Sequence, residues 1–352
     1  MKKNIAIVTG GNSSEYDISL KSAETVIGNI DRSAYIPFKI VIKENLWLLK
    51  RKNKKDIIID KNNFSCIIDG KKVTFDCVFI AIHGTPGEDG KLQGYFDMLK
   101  IPYTTSGVLT SALTFNKNVC KNFLKGYGVL SPISVLLKKG NTPINIPFNK
   151  GNSLFPSALL MMTIDGTSCD IKKILSEIQL PCFIKPSNGG SSCGISRVNN
   201  EDEMEGAIRK AFEEDDEILV EEFIDGTELT CGVLKHKEEL ITLPLTEVIS
   251  KKEFFDYEAK YTPGMAEEIT PARVSGKIEK KCKELSAYLF NILNCKGIVR
   301  FDYILRNNKL YFLEVNTVPG LTETSFIPQQ ALAMGINLEK LFGMIIEDAL
   351  GD

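Results

Sequence analysis

Arg300 and Asp302, and likewise Glu314 and Asn316, stand two residues apart within short apolar runs, 297–305 and 310–316, separated by the polar stretch 306–309. The runs read as two strands of a β-hairpin. Alternate residues of a strand share a face, so Arg300 and Asp302 point one way from the first strand, and Glu314 and Asn316 point together from the second. A three-residue loop over 307–309 places Asp302 opposite Glu314 and Arg300 opposite Asn316. Two facing carboxylates repel unless a cation lies between them, and an all-oxygen donor set suits a hard ion such as Mg²⁺. An exposed sheet face whose charges are merely solvated is the competing reading. The turn that follows, Thr317-Val318-Pro319-Gly320, offers backbone N–H groups beside the patch.

Other stretches carry potential anion chemistry. The apolar strand 182–186 delivers Lys185 into Ser187-Asn188-Gly189-Gly190-Ser191-Ser192-Cys193-Gly194, and 195–198 resumes extended structure. Strand, Gly/Ser-rich loop, strand is the layout of a flap whose N–H and hydroxyl donors fold over phosphates; a plain flexible hairpin tip fits equally. It is no Walker A loop, because neither a helix nor Gly-Lys-Ser/Thr follows. Near the N-terminus, residues 5–8 form a short apolar strand running into Gly10-Gly11. Ser14 then reads as the N-cap of a helix with Asp17 three residues on, and Glu15 falls in the first turn, where an acid is commonly only a complement to the dipole. Gly10-Gly11 lacks the full dinucleotide fingerprint. The apolar run 77–82 reads as a buried parallel strand ending in His83-Gly84 and the loop to Gly90, a place where open α/β sheets bind ligands. His83 itself reads as readily as a hydrogen-bonded structural histidine.

The elements that must position these residues follow from periodicity. Residues 107–126 carry one helical pattern through Leu109, Leu113, Cys120, Phe123 and Leu124, with Lys117 among them, although lysine on a helix is normally at the surface. Asn200 and Glu203 form a reciprocal cap for a helix whose buried stripe is Met204, Ala207, Ile208, Ala211 and Phe212. Residues 218–224, Asp225-Gly226 and 227–234 read as a second hairpin, with Asp-Gly as its turn signal. Its first strand ends in carboxylates and suits a nucleotide wall, with main-chain groups for a base edge and Glu228 for a ribose. Residues 254–264 are aromatic and charged without a clean period, as in a lid loop. The helix 277–293 leads directly into the first hairpin. Residues 53–69 read as solvated strands and turns, and 140–169 as an irregular insertion.

The bulk numbers bound the rest. A chain of 352 residues, 43% hydrophobic and 25% charged, is long enough for two or three domains. A net charge of -2 gives no broad basic field, which argues against nucleic acid as partner. Nine cysteines without a Cys-x-x-Cys pair, and two histidines, argue against a disulfide framework and a zinc site and suggest reduced thiols in a cytoplasmic compartment. No segment approaches membrane-spanning length, so no membrane partner is expected.

Taken in order, these stretches resemble one family nearly end to end, the D-alanine:D-alanine ligases of the ATP-grasp superfamily. The resemblance rests on Gly10-Gly11 with Ser13-Ser14-Glu15-Tyr16-Asp17-Ile18-Ser19-Leu20, and on His83-Gly84 with Gly87-Glu88-Asp89-Gly90-Lys91-Leu92-Gln93-Gly94. It continues through Lys185-Pro186 with Gly190-Ser191-Ser192, Asp256-Tyr257-Glu258-Ala259-Lys260-Tyr261, Arg300-Phe301-Asp302, and Glu314-Val315-Asn316-Thr317-Val318-Pro319-Gly320. It implies a three-domain ATP-grasp fold, α/β and α+β, with an N-terminal parallel-sheet domain over 1–104, a central subdomain over 105–216 and a catalytic domain over 217–352. It further implies Mg²⁺ (or Mn²⁺) on Asp302, Glu314 and Asn316, and ATP held by Lys117, Lys185, Ser192, Lys260, the strand Glu221, Glu222, Phe223, Ile224, and Glu228. The implied reaction joins two D-alanines through an acyl phosphate for peptidoglycan synthesis.

In that scheme Arg300 and the Gly320 N–H stabilise the oxyanion, Glu15 grips the first ammonium within a triad with Ser191 and Tyr261, and His83 lies at the substrate. Lys260 and Ser325 hold the second substrate's carboxylate. The lid tyrosine is replaced in relatives that make D-alanyl-D-lactate, so Tyr261 favours an amine nucleophile. Phe326 departs from the smaller aliphatic residue of many relatives beside the second subsite, which leaves D-serine or D-lactate as alternative second substrates. A homodimer is implied by the resemblance alone. A nucleotide-binding regulator that keeps the fold without turnover is the alternative from another class, and the joint presence of Glu15, Ser191, Tyr261, Arg300, Asp302, Glu314 and Asn316 argues against it.

Overall fold

Ile5, Ala6, Ile7 and Val8 are fully buried, as an apolar run in the middle of a parallel sheet must be. The computed structural model describes residues 1–139, 159–162, 171–190, 193–250 and 266–351. The first strand, β1 (Lys3–Gly10), leads to α1 (Tyr16–Asn29) and β2 (Tyr35–Lys43). β3 (Leu46–Leu49) and β4 (Ile57–Ile58) extend the sheet antiparallel, β5 (Cys66–Ile68) and β6 (Lys71–Val73) form a separate hairpin, and β7 (Cys77–Ile80) pairs in parallel with β1. Ile5, Ile7 and Phe79 face α1 and the two last helices of the chain, while Ala6, Val8, Val78 and Ile80 face α2 (Lys91–Leu99). The two ends of the chain therefore share one core; the Phe79 and Phe342 rings meet edge to face at 5.9 Å.

Two expectations change in this region. Residues 53–69 are not merely solvated, because Phe64 is fully buried and packs its ring against Phe75 and Phe96. The helix α1 starts at Tyr16 with Glu15 in the cap position and no side-chain cap. The hydroxyl that meets the helix entry is that of Ser13, which accepts the Glu15 N–H at 3.2 Å and donates to the His83 carbonyl at 2.8 Å, so Ser14 is not the cap.

The expected helix over 107–126 is two helices, α3 (Val108–Phe115) and α4 (Lys117–Lys125). Asn116 is extended between them, and its Oδ1 accepts the Val119 N–H at 2.9 Å to cap α4. The break turns the helix, and Leu109 ends up exposed rather than in the core. β8 (Ser134–Lys139) pairs in parallel with β9 (Leu159–Met162); the remainder of the 140–169 stretch, apart from this strand, lies outside the described residues. α5 (Ile171–Glu177), β10 (Cys182–Pro186), β11 (Ser196–Val198), α6 (Met204–Glu214) and β12 (Glu217–Glu222) complete the unit, with strand order β11-β10-β12-β8-β9. The buried stripe of α6 is the expected one, and Asn200 and Glu203 cap its entry.

The third sheet is antiparallel throughout. β13 (Thr227–His236) pairs with β14 (Glu239–Thr242), β15 (Thr246–Ser250) and β17 (Ile298–Arg306). β16 (Ala266–Ile269) lies outside β15, and β18 (Lys309–Asn316) outside β17. α7 (Gly276–Ile292) covers one face, and α8 (Phe326–Ala333) and α9 (Leu338–Leu350) return to the first sheet. The expected hairpin across Asp225-Gly226 is absent, because β12 belongs to the second sheet and β13 to the third. Neither Asp225 nor Gly226 has the positive φ that a tight hairpin turn of the Asp-Gly type requires. Gly226 is instead needed for close approach: a Cβ there would stand 2.4 Å from the Leu305 carbonyl oxygen of β17. The expected division between 216 and 217 accordingly cuts β12 away from its own sheet, and the change of sheet comes at 223–226.

Candidate active site

The hairpin of β17 and β18 pairs Asp302 with Glu314 and Arg300 with Asn316, the expected register, by a different route. The turn has two residues, Asn307 and Asn308, both at positive φ, and the ladder then closes with Tyr303 opposite Phe312. A bulge between Phe312 and Glu314 leaves Leu313 unpaired and shifts the register by one. The physical reason lies in the apolar pattern. Leu310 and Phe312 must face the core beneath α7, as must Val315, and strict alternation cannot put all three on one face. The bulge resets the phase so that Glu314 and Asn316 share the outer face with Arg300 and Asp302.

On that face Arg300 donates to both oxygens of Asp302, at 2.9 and 2.8 Å, and the Asn316 amide donates to Asp302 Oδ2 at 3.1 Å. Burial works against the Arg300 charge, but Asp302, Glu314 and Glu88 more than offset it and raise its pKa above the ordinary value. The guanidinium also lies 5.2 Å from the centre of the Phe326 ring. Glu314 Oε2 is 3.5 Å from Lys117 Nζ.

Lys117 comes from the first turn of α4 and reaches the root of the flap, donating to the Gly189 carbonyl at 2.6 Å. Asn116 and Asn188 form an isolated antiparallel bridge, and the Lys117 N–H donates to the Ser187 carbonyl, so the break between α3 and α4 fastens the flap. Behind it lies a buried charge cluster. Glu221 on β12 accepts from Lys185 Nζ at 2.6 Å through one oxygen and from Lys121 Nζ through the other. Lys121 is 4% exposed, Lys185 8% and Glu221 2%. Burial would raise the Glu221 pKa, but the two ammonium groups hold it below the usual range; burial draws Lys121 down to about 8, while its bond to the Glu221 carboxylate favours the charged form.

The N-terminal loops close the other side. His83 is buried, and its Nδ1 lies 2.7 Å from the Val318 carbonyl while Nε2 lies 2.9 Å from Ser22 Oγ. A carbonyl only accepts, so Nδ1 carries the proton and Nε2 accepts from the serine. Burial holds the ring's pKa down, consistent with this neutral form, and both nitrogens are committed to structure. Glu88 accepts the N–H groups of Gly84 at 2.7 Å and Val318 at 3.1 Å; burial and the nearby Glu15 push its pKa up to about 8. Glu15 is half-buried beside the flap: a Cβ on Gly190 would stand 2.7 Å from its Oε2. Glu88, Lys117, Gly190, Glu314 and Asn316 line a common crevice.

The remaining expected residues divide into three groups. Gly320 and Ser325 adjoin one another, with Thr322 Oγ1 2.7 Å from Ser325 Oγ, beside Phe326. Glu222 accepts the Ile133 N–H at 2.8 Å, Phe223 lies between the Phe183 ring and the Arg197 guanidinium, Ile224 is buried, and Glu228 sits on β13 opposite Ile304. Ser191, Ser192, Lys260 and Tyr261 lie outside the described residues. Sequence reasoning passed over Lys121, and named Glu88 within a motif without giving it a role. The signal for Lys121 was its place one turn after Lys117 in a stripe with Cys120 and Leu124, where an apolar residue belongs.

Chemically, two carboxylates and an amide on one sheet face, flanked by an arginine and a lysine, fit a hard divalent cation that also shares phosphate oxygens. The lysines and the flap's N–H groups suit the phosphates themselves. Among the described residues no helix is long and apolar enough to cross a membrane.

The chain matches the family described as "D-ala D-ala ligase C-terminus" over residues 160–347 and that described as "D-ala D-ala ligase N-terminus" over 4–106. It is 47% identical to the D-alanine--D-alanine ligase of Azobacteroides pseudotrichonymphae genomovar. CFP2, across 98% of this chain and 99% of that protein. The VanG D-Ala:D-Ser ligase from Enterococcus faecalis is similar in structure with a TM-score of 0.82 and 30% identity, covering 99% of this chain and 100% of that one. A D-alanine--D-alanine ligase from Bacillus anthracis complexed with ATP gives 0.72 and 26%, covering 99% and 98%.

Proposed function

Because the chain belongs to the D-alanine--D-alanine ligase family, we propose that it uses ATP to join two D-alanines into D-alanyl-D-alanine for peptidoglycan, with the charged face of the β17–β18 hairpin as its reaction centre. The observation that carries this reading is the convergence on that face of Arg300, Asp302, Glu314 and Asn316 with Lys117.

The carboxylate of the first D-alanine attacks the γ-phosphorus of ATP, ADP leaves, and an acyl phosphate forms. The amine of the second D-alanine attacks that carbonyl, and phosphate leaves. Lys117 and Lys185 hold phosphate oxygens, which compete with Glu314 and Glu221 for the two ammonium groups. Arg300, already oriented by its two bonds to Asp302, directs its charge at the reacting carboxyl, and the Gly320 N–H supports the oxyanion. Glu15 binds the first ammonium, and its place against Gly190 lets flap and N-terminal loop enclose that substrate together and exclude water. His83 and Glu88 act at one remove, by fastening the Val318 turn. Ser191 and Tyr261 complete the triad with Glu15. Ser192 and Lys260 join the phosphate contacts, main-chain groups of Glu221 to Ile224 and the Glu228 side chain face the nucleoside, and Ser325 with Lys260 holds the second carboxylate. Mg²⁺, held by Asp302, Glu314 and Asn316, would neutralise phosphate oxygens during transfer. Unpaired thiols at every described cysteine support a cytoplasmic setting. The expected homodimer is checked by sedimentation.

The test is phosphate release from ATP with D-alanine alone and with D-serine or D-lactate added, the product identified by mass. D-alanyl-D-alanine from D-alanine alone is the expected result. Absence of phosphate release with every D-amino acid would overturn the enzyme reading, and a mixed product formed in clear preference would overturn the second-substrate assignment.

A further inference from the structure

Lys121 has no part in the reaction as proposed, yet it is among the most buried lysines described. It lies one helical turn beyond Lys117 on α4, and its ammonium is bonded to the same carboxylate as that of Lys185. Lys185 stands on β10 opposite Leu219, and Glu221 on β12 stands opposite Phe183, so the lysine and the acid are diagonal neighbours on one sheet face. Glu221 thus has two cationic partners from two different elements.

We infer that Lys121 is a positioning residue for the nucleotide site: as the permanent counter-ion of Glu221, it frees Lys185 to exchange that carboxylate for a phosphate. With only Lys185 as partner, Glu221 would hold it in a closed buried pair, and each approach of Lys185 to a phosphate would strand a bare buried carboxylate. The second lysine removes that obstacle. The cluster then carries one surplus positive charge, and the mobile share of it belongs to Lys185, whose side chain is the more accessible of the two, 11% against 4%. The inference rests on the reading of Lys185 as a phosphate contact.

The experiment compares the full-length chain with Lys121→Met, Lys121→Arg, Glu221→Gln and the double variant Lys121→Met/Glu221→Gln. ATP binding is followed by calorimetry and turnover by phosphate release. Lys121→Met is expected to weaken ATP binding and raise KM for ATP by about tenfold or more, leaving KM for D-alanine within about twofold. Lys121→Arg restores ATP binding, because it restores the counter-ion. The double variant binds ATP better than Lys121→Met alone, because the neutral amide that replaces the carboxylate no longer captures Lys185, a non-additivity that mere loss of packing does not produce. Unchanged ATP affinity in folded Lys121→Met, or a fall in kcat alone that tracks melting temperature, overturns the inference. If Lys121→Met fails to fold, the comparison of Glu221→Gln with the double variant decides: equal ATP affinity in the two upholds it, and a further loss in the double variant overturns it. Calorimetry needs no D-alanine, so a chain that binds ATP in this pattern without ligase turnover upholds the inference and sinks the ligase reading. No ATP binding by the unmodified chain sinks both.

Discussion

Arg300→Met removes two bonds at once from a carboxylate that is almost wholly enclosed. Among the described residues, Asp302 then keeps only the 3.1 Å contact from Asn316. Removing one member of a buried ion pair costs about 3–5 kcal/mol because the other charge is stranded. The Arg300 side chain is 14% accessible and that of Asp302 9%, so water partly fills the gap, and about 2–3 kcal/mol is the better figure. In a chain of this size that corresponds to a fall in melting temperature of about 5 °C. Turnover should fall further than stability explains, by about 10²–10³-fold, the loss for removing one fixed donor at a developing oxyanion. Arg300→Lys separates the two effects. A lysine keeps the charge and much of the stability but cannot make two parallel bonds, so its melting temperature should lie near that of the unmodified chain while kcat stays depressed. The assays are thermal melts and phosphate release at saturating ATP and D-alanine. If Arg300→Met melts and turns over like the unmodified chain, the ion pair contributes neither stability nor chemistry, and the assignment of the reaction centre is wrong.

Glu314→Gln should abolish turnover far more than nucleotide binding, because it weakens the metal set and leaves the base pocket alone; full activity at saturating Mg²⁺ would count against that role. Gly190→Ala brings a methyl group to 2.7 Å from Glu15 Oε2 and must push the carboxylate aside, so KM for the first D-alanine should rise about tenfold with KM for ATP little changed. The hydrogen bonds of Arg273 hold the Glu247 carboxyl below its ordinary pKa. That bond therefore stabilises the fold above the ordinary carboxylate range, and its contribution is lost as pH falls through the lowered folded value. Arg273 is 59% exposed, so solvent screens the pair and the effect is small, and urea melts of Arg273→Ala should differ slightly from the unmodified chain at neutral pH but converge with it in acid.

What the sequence disclosed and what it hid divide along physical lines. The facing of Asp302 and Glu314 was legible because period-two alternation holds on each side of the bulge, but the loop length was not, since a turn of two residues plus one unpaired residue yields the same pairs as a turn of three. The parallel strand 77–80 was legible from its apolar run, and the stripe of α6 from helical spacing behind the Asn200 and Glu203 cap. Asp225-Gly226 misled because the glycine answers to the Leu305 carbonyl across the chain, a tertiary demand that local turn statistics cannot contain. The split at Asn116 was hidden for a similar reason: the side chain caps a helix that must begin there for Lys117 to reach Gly189. Lys121 was hidden by the general habit of lysine, which is to stay in water.

The unpaired Leu313 also insulates the reaction centre from its own hairpin tip. Two registers of the tip, differing by one residue, present the same partners to Arg300 and Asp302, because the discrepancy is absorbed before Glu314. A transient slip around Asn307 and Asn308 would turn Leu310 and Phe312 away from the core beneath α7 and be driven back by that exposure, while Glu314 and Asn316 held their places against β17. Fluctuation at the solvent end of the hairpin is therefore silent at the end where charge is moved.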